Sequence, residues 1–203
     1  MAKPNFLDLF SGTHSVGNAA ESLGYSVTSL DLHHKTADIV EDIMTWDYTR
    51  YPPGHFDVVW ASVPCVTFSK LRFLMIGRHG YTRESLKRDL NQIGLPLLRR
   101  TQEIIEHLKP RLWFIENPQT GKMKIYLTLP HYDVDYCQYG FDVRKRTRIW
   151  TNKQGFRPKL CGKACAAKID GRHISQVNST GGGNSRQGRY RVPTQLVVDL
   201  IEA

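Results

Sequence analysis

Residues 5–13, Asn5-Phe6-Leu7-Asp8-Leu9-Phe10-Ser11-Gly12-Thr13, decide the fold. A short apolar strand runs into a Ser/Gly/Thr turn, and a small-residue helix over 15–23 follows, stopped by Gly24. The pattern repeats outward. Residues 25–30 (YSVTSL) read as a second strand ending on Asp31, and residues 56–61 (FDVVWA) as a strand buried on both faces. A long helix is expected over 85–108, with Leu90, Ile93, Leu97, Ile104, Ile105 and Leu108 on its apolar positions and a kink at Gly94-Leu95-Pro96. Residues 112–115 (LWFI) form another buried strand, which ends at Glu116-Asn117-Pro118. Residues 132–138 and 146–151 read as a terminal antiparallel pair, and residues 192–201 as a short amphipathic helix. Strands alternating with helices predict an α/β fold with a doubly wound, mostly parallel sheet and a terminal antiparallel hairpin. In such sheets ligands bind beyond the carboxyl ends of the strands. Asp8, Asp31, Pro64-Cys65 and Glu116 should therefore share one edge.

The 203 residues, 40% hydrophobic and 23% charged with 4 Cys, suit one domain with its own core and exclude a disulfide-framed miniprotein, a coiled coil or a disordered tail. No apolar run approaches the roughly 20 residues of a membrane span, and the polar start MAKPNF does not resemble a signal peptide. An intracellular protein, cytoplasmic or nuclear, without a membrane partner is expected. The net charge of +9 is unevenly placed. Residues 1–140 hold 15 basic and 15 acidic side chains, whereas residues 141–203 hold 13 and 4. The whole excess lies at one end, which suggests a polyanion such as nucleic acid, although a solvated tail would have the same charge.

The turn at Asp8–Thr13, with Gly17 beyond it, can bring backbone N–H groups and a helix start up to a nucleotide-like ligand; a plain strand-to-helix turn is the alternative. Asp31 stands where a carboxylate accepts ribose hydroxyls, or where a solvated acid ends a strand. Asp42-Ile43 offers one acceptor and one apolar wall to an adenine edge. Cys65, directly after a buried strand, is lifted into the crevice, where a nearby cation or helix start would lower its pKa towards the thiolate; a lone Cys is otherwise an inert filler. Glu116 ends another strand, where Asn117 can bond the backbone and Pro118 fixes the turn. An apolar site would keep Glu116 protonated. Arg144, Arg146 and Arg148 alternate along a strand, so they are expected on one face, suited to clamping phosphate or to charging an exposed strand.

In this order DLFSG, a strand-end Asp, Asp-Ile, PCxxFS, ENP and RxRxR resemble the motifs of the cytosine-C5 DNA methyltransferases, over residues 5–151 with a weaker echo in the last helix. The resemblance implies a Rossmann-like fold of the S-adenosylmethionine-dependent methyltransferase type. It implies a cofactor pocket drawing on Asp8, Phe10, Gly12, Asp31, Asp42, Ile43 and Pro64. Cys65 would be the nucleophile that adds to cytosine C6, and Glu116 would contact N3 and the exocyclic amine. Arg146 and Arg148 would be the two motif arginines of the catalytic set. Ser69, Arg144, Lys145, Arg189 and Arg191 would meet double-stranded DNA, and Gly183-Asn184-Ser185 resembles a late segment that closes the cofactor pocket. The target base must leave the duplex stack at a cost of a few kcal/mol, which phosphate contacts offset.

This sequence departs from the family pattern at several places. His14 replaces a usual glycine, an exchange expected to crowd or re-aim the cofactor's methionine carboxylate. Arg144 replaces the usual glutamine, and Phe141-Asp142-Val143 the proline-containing turn before it. Residues 1–151 read as the catalytic domain and 192–203 as a helix packing back on it. Between them, residues 152–191 form only a short basic loop or mini-module where the family carries a target-recognition domain. Low or very short sequence specificity is expected, as in compact members that resemble virus- or phage-encoded enzymes. Cys161, Cys165 and His173 in this insert, with Cys137 or a second His, have the donor types for zinc; free thiols in a basic loop are the alternative. Two other functions stay open: an inactive DNA-binding accessory protein on the same fold, and the same methyl transfer on RNA.

Overall fold

The computed structural model describes residues 2–174 and 190–202. Arg189 and Gly183-Asn184-Ser185 lie outside the described residues. The central sheet has six strands: β1 (Asn5–Leu9), β2 (Ser26–Leu30), β3 (Val58–Ala61), β4 (Leu112–Pro118), β5 (His131–Asp135) and β6 (Arg146–Thr151). Their order is β2-β1-β3-β4-β6-β5, and β6 runs antiparallel to both neighbours. From β1 the chain crosses to β2 on one side and then to β3 on the other. The carboxyl ends of β1 and β3 thus flank the switch point, where a doubly wound sheet leaves a crevice.

Alternation along each strand divides the core in two. Leu7, Leu9, Val59, Ala61, Ile115 and Trp150 pack on one face with α3 (Leu95–Leu108), while Phe6, Val58, Trp60, Phe114 and Ile149 pack on the other. That second face is covered by α1 (Ser15–Ser22) and α5 (Thr194–Glu202). Ala19 and Ala20 are fully buried, so their small size lets α1 lie close to the sheet. Burying each large apolar side chain contributes about 1.5–3 kcal/mol. Just before α5, the Val192 N–H donates to Ser15 Oγ at 3.0 Å, joining the last helix to the first.

The long helix expected over 85–108 is instead three consecutive pieces. These are α2 (Arg83–Asp89), a π-helical turn (Leu90–Gly94) and α3, with Pro96 in the first turn of α3. Pro96 lacks the N–H an unbroken helix would use, and the wider turn absorbs the loss. A Cβ on Gly94 would collide with Thr67 of the loop after β3, so this glycine lets the two segments touch. The antiparallel pair forms as expected, but β6 lies inside it and β5 at the edge. The insertion has a purpose in the layout: β6 begins beside the carboxyl end of β4, with Pro118 opposite Thr147 and Asn117 opposite Arg148. After a four-residue helix α4 (Met123–Tyr126), the remaining elements are the short strands β7 (Lys168–Ile169) and β8 (Arg172–His173) of the insert.

Candidate active site

The turn after β1 takes left-handed backbone at Phe10 (φ 59°), Gly12 (φ 48°) and His14 (φ 57°). A Cβ built on Gly12 would meet only the Phe10 carbonyl, at 3.9 Å, so the space over this residue is open. Asp31, at the end of β2, reaches across to this turn. One of its oxygens accepts from Gly12 N–H at 3.0 Å, and the other from His33 and His34 N–H at 2.9 and 3.0 Å. Burial alone would raise its pKa, but these backbone donors hold it below the usual carboxylate value. The result is a fixed, ionised carboxylate at the carboxyl edge of the sheet, held against the β1 turn. Next to Asp31 and Asp42 in sequence, Leu32, Val40 and Met44 leave large apolar surfaces exposed. A carboxylate with such surfaces nearby suits a nucleoside, ribose to the acid and purine to the apolar rim.

Three expectations for this pocket change. The Ile43 side chain is 3% exposed and belongs to the core, so it is not a pocket wall, and its carbonyl accepts from Arg100 Nε at 3.0 Å. Asp42 is exposed and caps its own turn through Met44 N–H at 2.9 Å. The His14 ring is laid along α1, against Gly17 and 3.7 Å from Glu21, instead of standing over the turn; a Cβ at position 17 would collide with it. Asp8 is fully buried on the α1 face of the sheet, and neither oxygen makes a short, well-aligned hydrogen bond. Burial pushes its pKa up to about 8, against the pull of the Gly17 amide and with the repulsion of Asp31.

Cys65 follows exposed Pro64 in the loop beyond β3 and starts a 3-10 turn over Val66–Phe68. Ser69 caps the next turn through Leu71 N–H at 3.2 Å. The loop is anchored from behind. Asn117 Nδ2 donates to the Val63 carbonyl at 2.8 Å, and Lys122 N–H to the Phe68 carbonyl at 2.8 Å. Glu116, buried at the end of β4, accepts from Tyr136 Oη at 3.0 Å and pairs with Lys145 Nζ at 3.4 Å. Burial, and then the Glu116 charge, push the Tyr136 phenol well above its ordinary value, so it remains a donor. The Cys65 thiol is not lowered as expected. Burial raises it first and the Glu116 charge second, and the opposing Lys145 does not outweigh them. Lys145, which pulls the other way, is itself paired with Glu116.

The arginine strand also differs from expectation. Arg144 precedes β6, so the three arginines do not form a single strand face. Arg144 forks onto the buried Asp135 at 3.1 and 3.2 Å, and Arg148 onto Asp133 at 2.7 and 2.8 Å. Although burial pushes the other way, Arg148 holds Asp133 below the usual carboxylate range. Arg146, 3.8 Å from Asp135, has a side chain 52% exposed and is the one of the three that faces water. Lys145, expected on DNA, turns inward to Glu116; the residue between two arginines gave that signal only through its position. Arg191 is exposed just before α5. Tyr136 carries no sequence signal, because an aromatic after a strand reads as core.

In the insert, Cys161, Cys165 and His173 come together, and Cys137 from the turn after β5 joins them; their ligand atoms all lie within 4.8 Å of one another.

No protein-family model matches the chain. Among solved structures it resembles the Entamoeba histolytica methyltransferase EhMeth, with a TM-score of 0.53 and 15% identity over 79% of this chain and 56% of that one. The S. pombe Dnmt2 methyltransferase matches with a TM-score of 0.45 and 14% identity, over 76% and 51%. The chain thus spans about half the length of either structure. The first likeness supports the fold. Over 211 residues the chain is 48% identical to a probable DNA (cytosine-5)-methyltransferase of Frog virus 3 (isolate Goorha), covering 97% of this chain and 98% of the viral one. Identity of that extent, end to end, on a chain that carries Cys65 and Glu116 at neighbouring strand ends, leaves one assignment: the protein belongs to the DNA (cytosine-5)-methyltransferase family.

Proposed function

We propose that this chain transfers a methyl group from S-adenosylmethionine to C5 of a cytosine flipped out of double-stranded DNA, with Cys65 as the nucleophile. The observation that carries the reading is the tie between the Cys65 loop and the Glu116 strand end through Asn117 and Val63. The open turn at Gly12 and the fixed Asp31 carboxylate fit the cofactor, with Phe10 in the same turn and exposed Asp42 as a further acceptor for its adenine. When bound, S-adenosylmethionine supplies the electrophilic methyl group.

Cys65 begins as a thiol. Its Sγ bonds to cytosine C6, the thiol proton ends on N3 with Glu116 holding it there, and the C5=C6 electron pair leaves C5 nucleophilic. The protonated ring donates its N3–H to the Glu116 carboxylate, and its positive charge offsets the Glu116 charge, one of the two causes that raise the thiol. After C5 is methylated a base takes the C5 proton. The electron pair re-forms C5=C6, Sγ leaves, and the N3 proton returns to sulfur. Tyr136 and Lys145 hold Glu116 in place throughout.

Exposed Arg146 and Arg191, with the basic insert, supply contacts to the DNA backbone. Such contacts position a duplex and carry no sequence information, so recognition should be short or loose. No helix among the described residues is long and apolar enough to cross a membrane, and action on DNA in the cytoplasm or nucleus of an infected cell fits a viral relative. The test is to incubate the protein and its Cys65→Ala variant with plasmid DNA, or with tRNA, and S-adenosylmethionine, then quantify 5-methylcytosine by nucleoside mass spectrometry. Signal on DNA with wild type alone supports the reading; signal on tRNA alone, or none above the variant, rejects it.

A further inference from the structure

We propose that Cys137, Cys161, Cys165 and His173 bind one zinc ion that pins the short insert to the catalytic hairpin. The four donors come from three separate segments: the turn after β5, the loop at 161–165, and β8. His173 Nε2 lies 3.4 Å from Cys161 Sγ and 3.7 Å from Cys165 Sγ. The edges of a tetrahedron with ordinary zinc–sulfur and zinc–nitrogen bonds are about 3.6 Å between S and N, and about 3.8 Å between two S atoms. His173 is therefore already spaced from Cys161 and Cys165 as in a ligand set for one small ion, and all four donor atoms lie within 4.8 Å of one another. Three thiolates and an imidazole select zinc over hard cations such as calcium or magnesium, which require oxygen.

The local backbone is built to deliver these donors. Asp170 and Gly171 both take left-handed φ, 49° and 76°, which makes the tight two-residue turn that folds β8 back on β7. That turn returns His173 to Cys165. Gln138 Nε2 donates to Cys165 Sγ at 3.2 Å, and the Cys161 N–H to Asp135 Oδ2 at 2.8 Å, a supporting layer of the kind that orients metal ligands. The same Asp135 carboxylate holds Arg144, so the ion would fix the insert to the start of the arginine strand.

Apolar packing does not account for this geometry. Two strands of two residues each cannot hold themselves together in water. The buried cluster beneath them consists of Cys137, Cys165 and Ala167. All four cysteines of the chain are free. A metal is the usual means by which a module this small gains a fixed structure.

The experiment uses the full chain, purified without chelator, and measures metals by inductively coupled plasma mass spectrometry. The expected result is about one zinc per chain in wild type and in Cys65→Ser. Content should fall at least about tenfold in Cys161→Ser, Cys165→Ser and Cys137→Ser. Cobalt-substituted wild type should show the visible absorption of a tetrahedral thiolate site. Removing the metal from wild type with a strong chelator should open residues 157–174 to protease while residues 2–151 stay protected, a readout that does not depend on whether any variant folds. Less than about a tenth of an equivalent of any transition metal in wild type overturns the site, and iron or copper in place of zinc overturns the assignment. A Cys137→Ser variant that keeps zinc with wild-type affinity overturns the link to the catalytic hairpin. None of these readouts depends on methyl transfer.

Discussion

Asn117 and Val63 are 54 positions apart in sequence, yet the Asn117 amide donates to the Val63 carbonyl at 2.8 Å, buried between the ends of β4 and β3. One bond thus sets the spacing between the strand end that carries Glu116 and the loop that carries Cys65. Asn117→Ala should cost about 1–3 kcal/mol of stability, since it leaves a buried carbonyl unpartnered. It should lower kcat about 10²-fold with a smaller change in KM, because misplacing reacting groups acts on the chemical step. Thermal unfolding and steady-state methylation on plasmid DNA measure the two effects separately.

Glu116 and Lys145 act on the thiol with opposite sign. Glu116→Gln removes a negative charge that raises the Cys65 pKa, so the thiolate fraction at pH 8 rises and alkylation by iodoacetamide speeds up. Methylation should nevertheless fall by about 10²- to 10⁴-fold, the range typical for a lost acid–base group. Lys145→Met removes the opposing cation, so alkylation slows and its pH profile moves upward. Equal alkylation rates in both variants would show that Cys65 does not sense this pair.

Asp8 makes stability depend on pH. Its folded pKa, near 8, lies above the ordinary carboxylate value, so the folded protein holds a proton that the unfolded chain releases. That contribution is whole in acid below the unfolded pKa and is lost as pH rises towards 8. Asp8→Asn removes the titration. The variant should gain little over wild type near pH 3.5 and several kcal/mol near pH 8, read as a difference in unfolding midpoint that widens with pH. A midpoint difference that stays constant across this range contradicts the argument.

The arginines should separate by variant. Arg146→Ala should weaken duplex binding and reduce the slope of log affinity against log salt by about 1, with little effect on folding. Arg148→Ala breaks the fork onto Asp133 and should cost about 1–3 kcal/mol of stability as well. Fluorescence anisotropy across a salt series, with thermal melts in parallel, distinguishes the two.

Much of the frame was legible because apolar runs and turn residues carry it. The segment NFLDLFSGT gave β1, its turn and α1, and the strand ends that bear Asp31, Cys65 and Glu116 fall at one edge of the sheet. Contacts made across the fold were not legible. Lys145 reads as one more cation in a basic run, and only the placement of β6 beside β4 turns it towards Glu116. Tyr136 reads as a core aromatic. The acids that occupy Arg144 and Arg148 lie on β5; strand register sets Asp133 opposite Arg148, and Arg144 reaches Asp135 from just before β6, neither of which a charge pattern reveals. The thiol is raised for the same reason, since burial and a paired lysine are properties of the packed chain. Cys137 lies 24 positions before Cys161, too far for a ligand spacing to announce it.

The central claim is that Cys65 bonds covalently to the target base. A duplex carrying 5-fluorocytosine tests it most directly, because fluorine at C5 cannot be removed as the proton is, and the adduct therefore persists. The protein should be incubated with this duplex and S-adenosylmethionine, denatured, digested and mapped by mass spectrometry. One protein–DNA adduct is expected on the peptide containing Cys65, absent from Cys65→Ala. An adduct on another cysteine, or 5-methylcytosine formed by Cys65→Ala on an ordinary duplex, would contradict it.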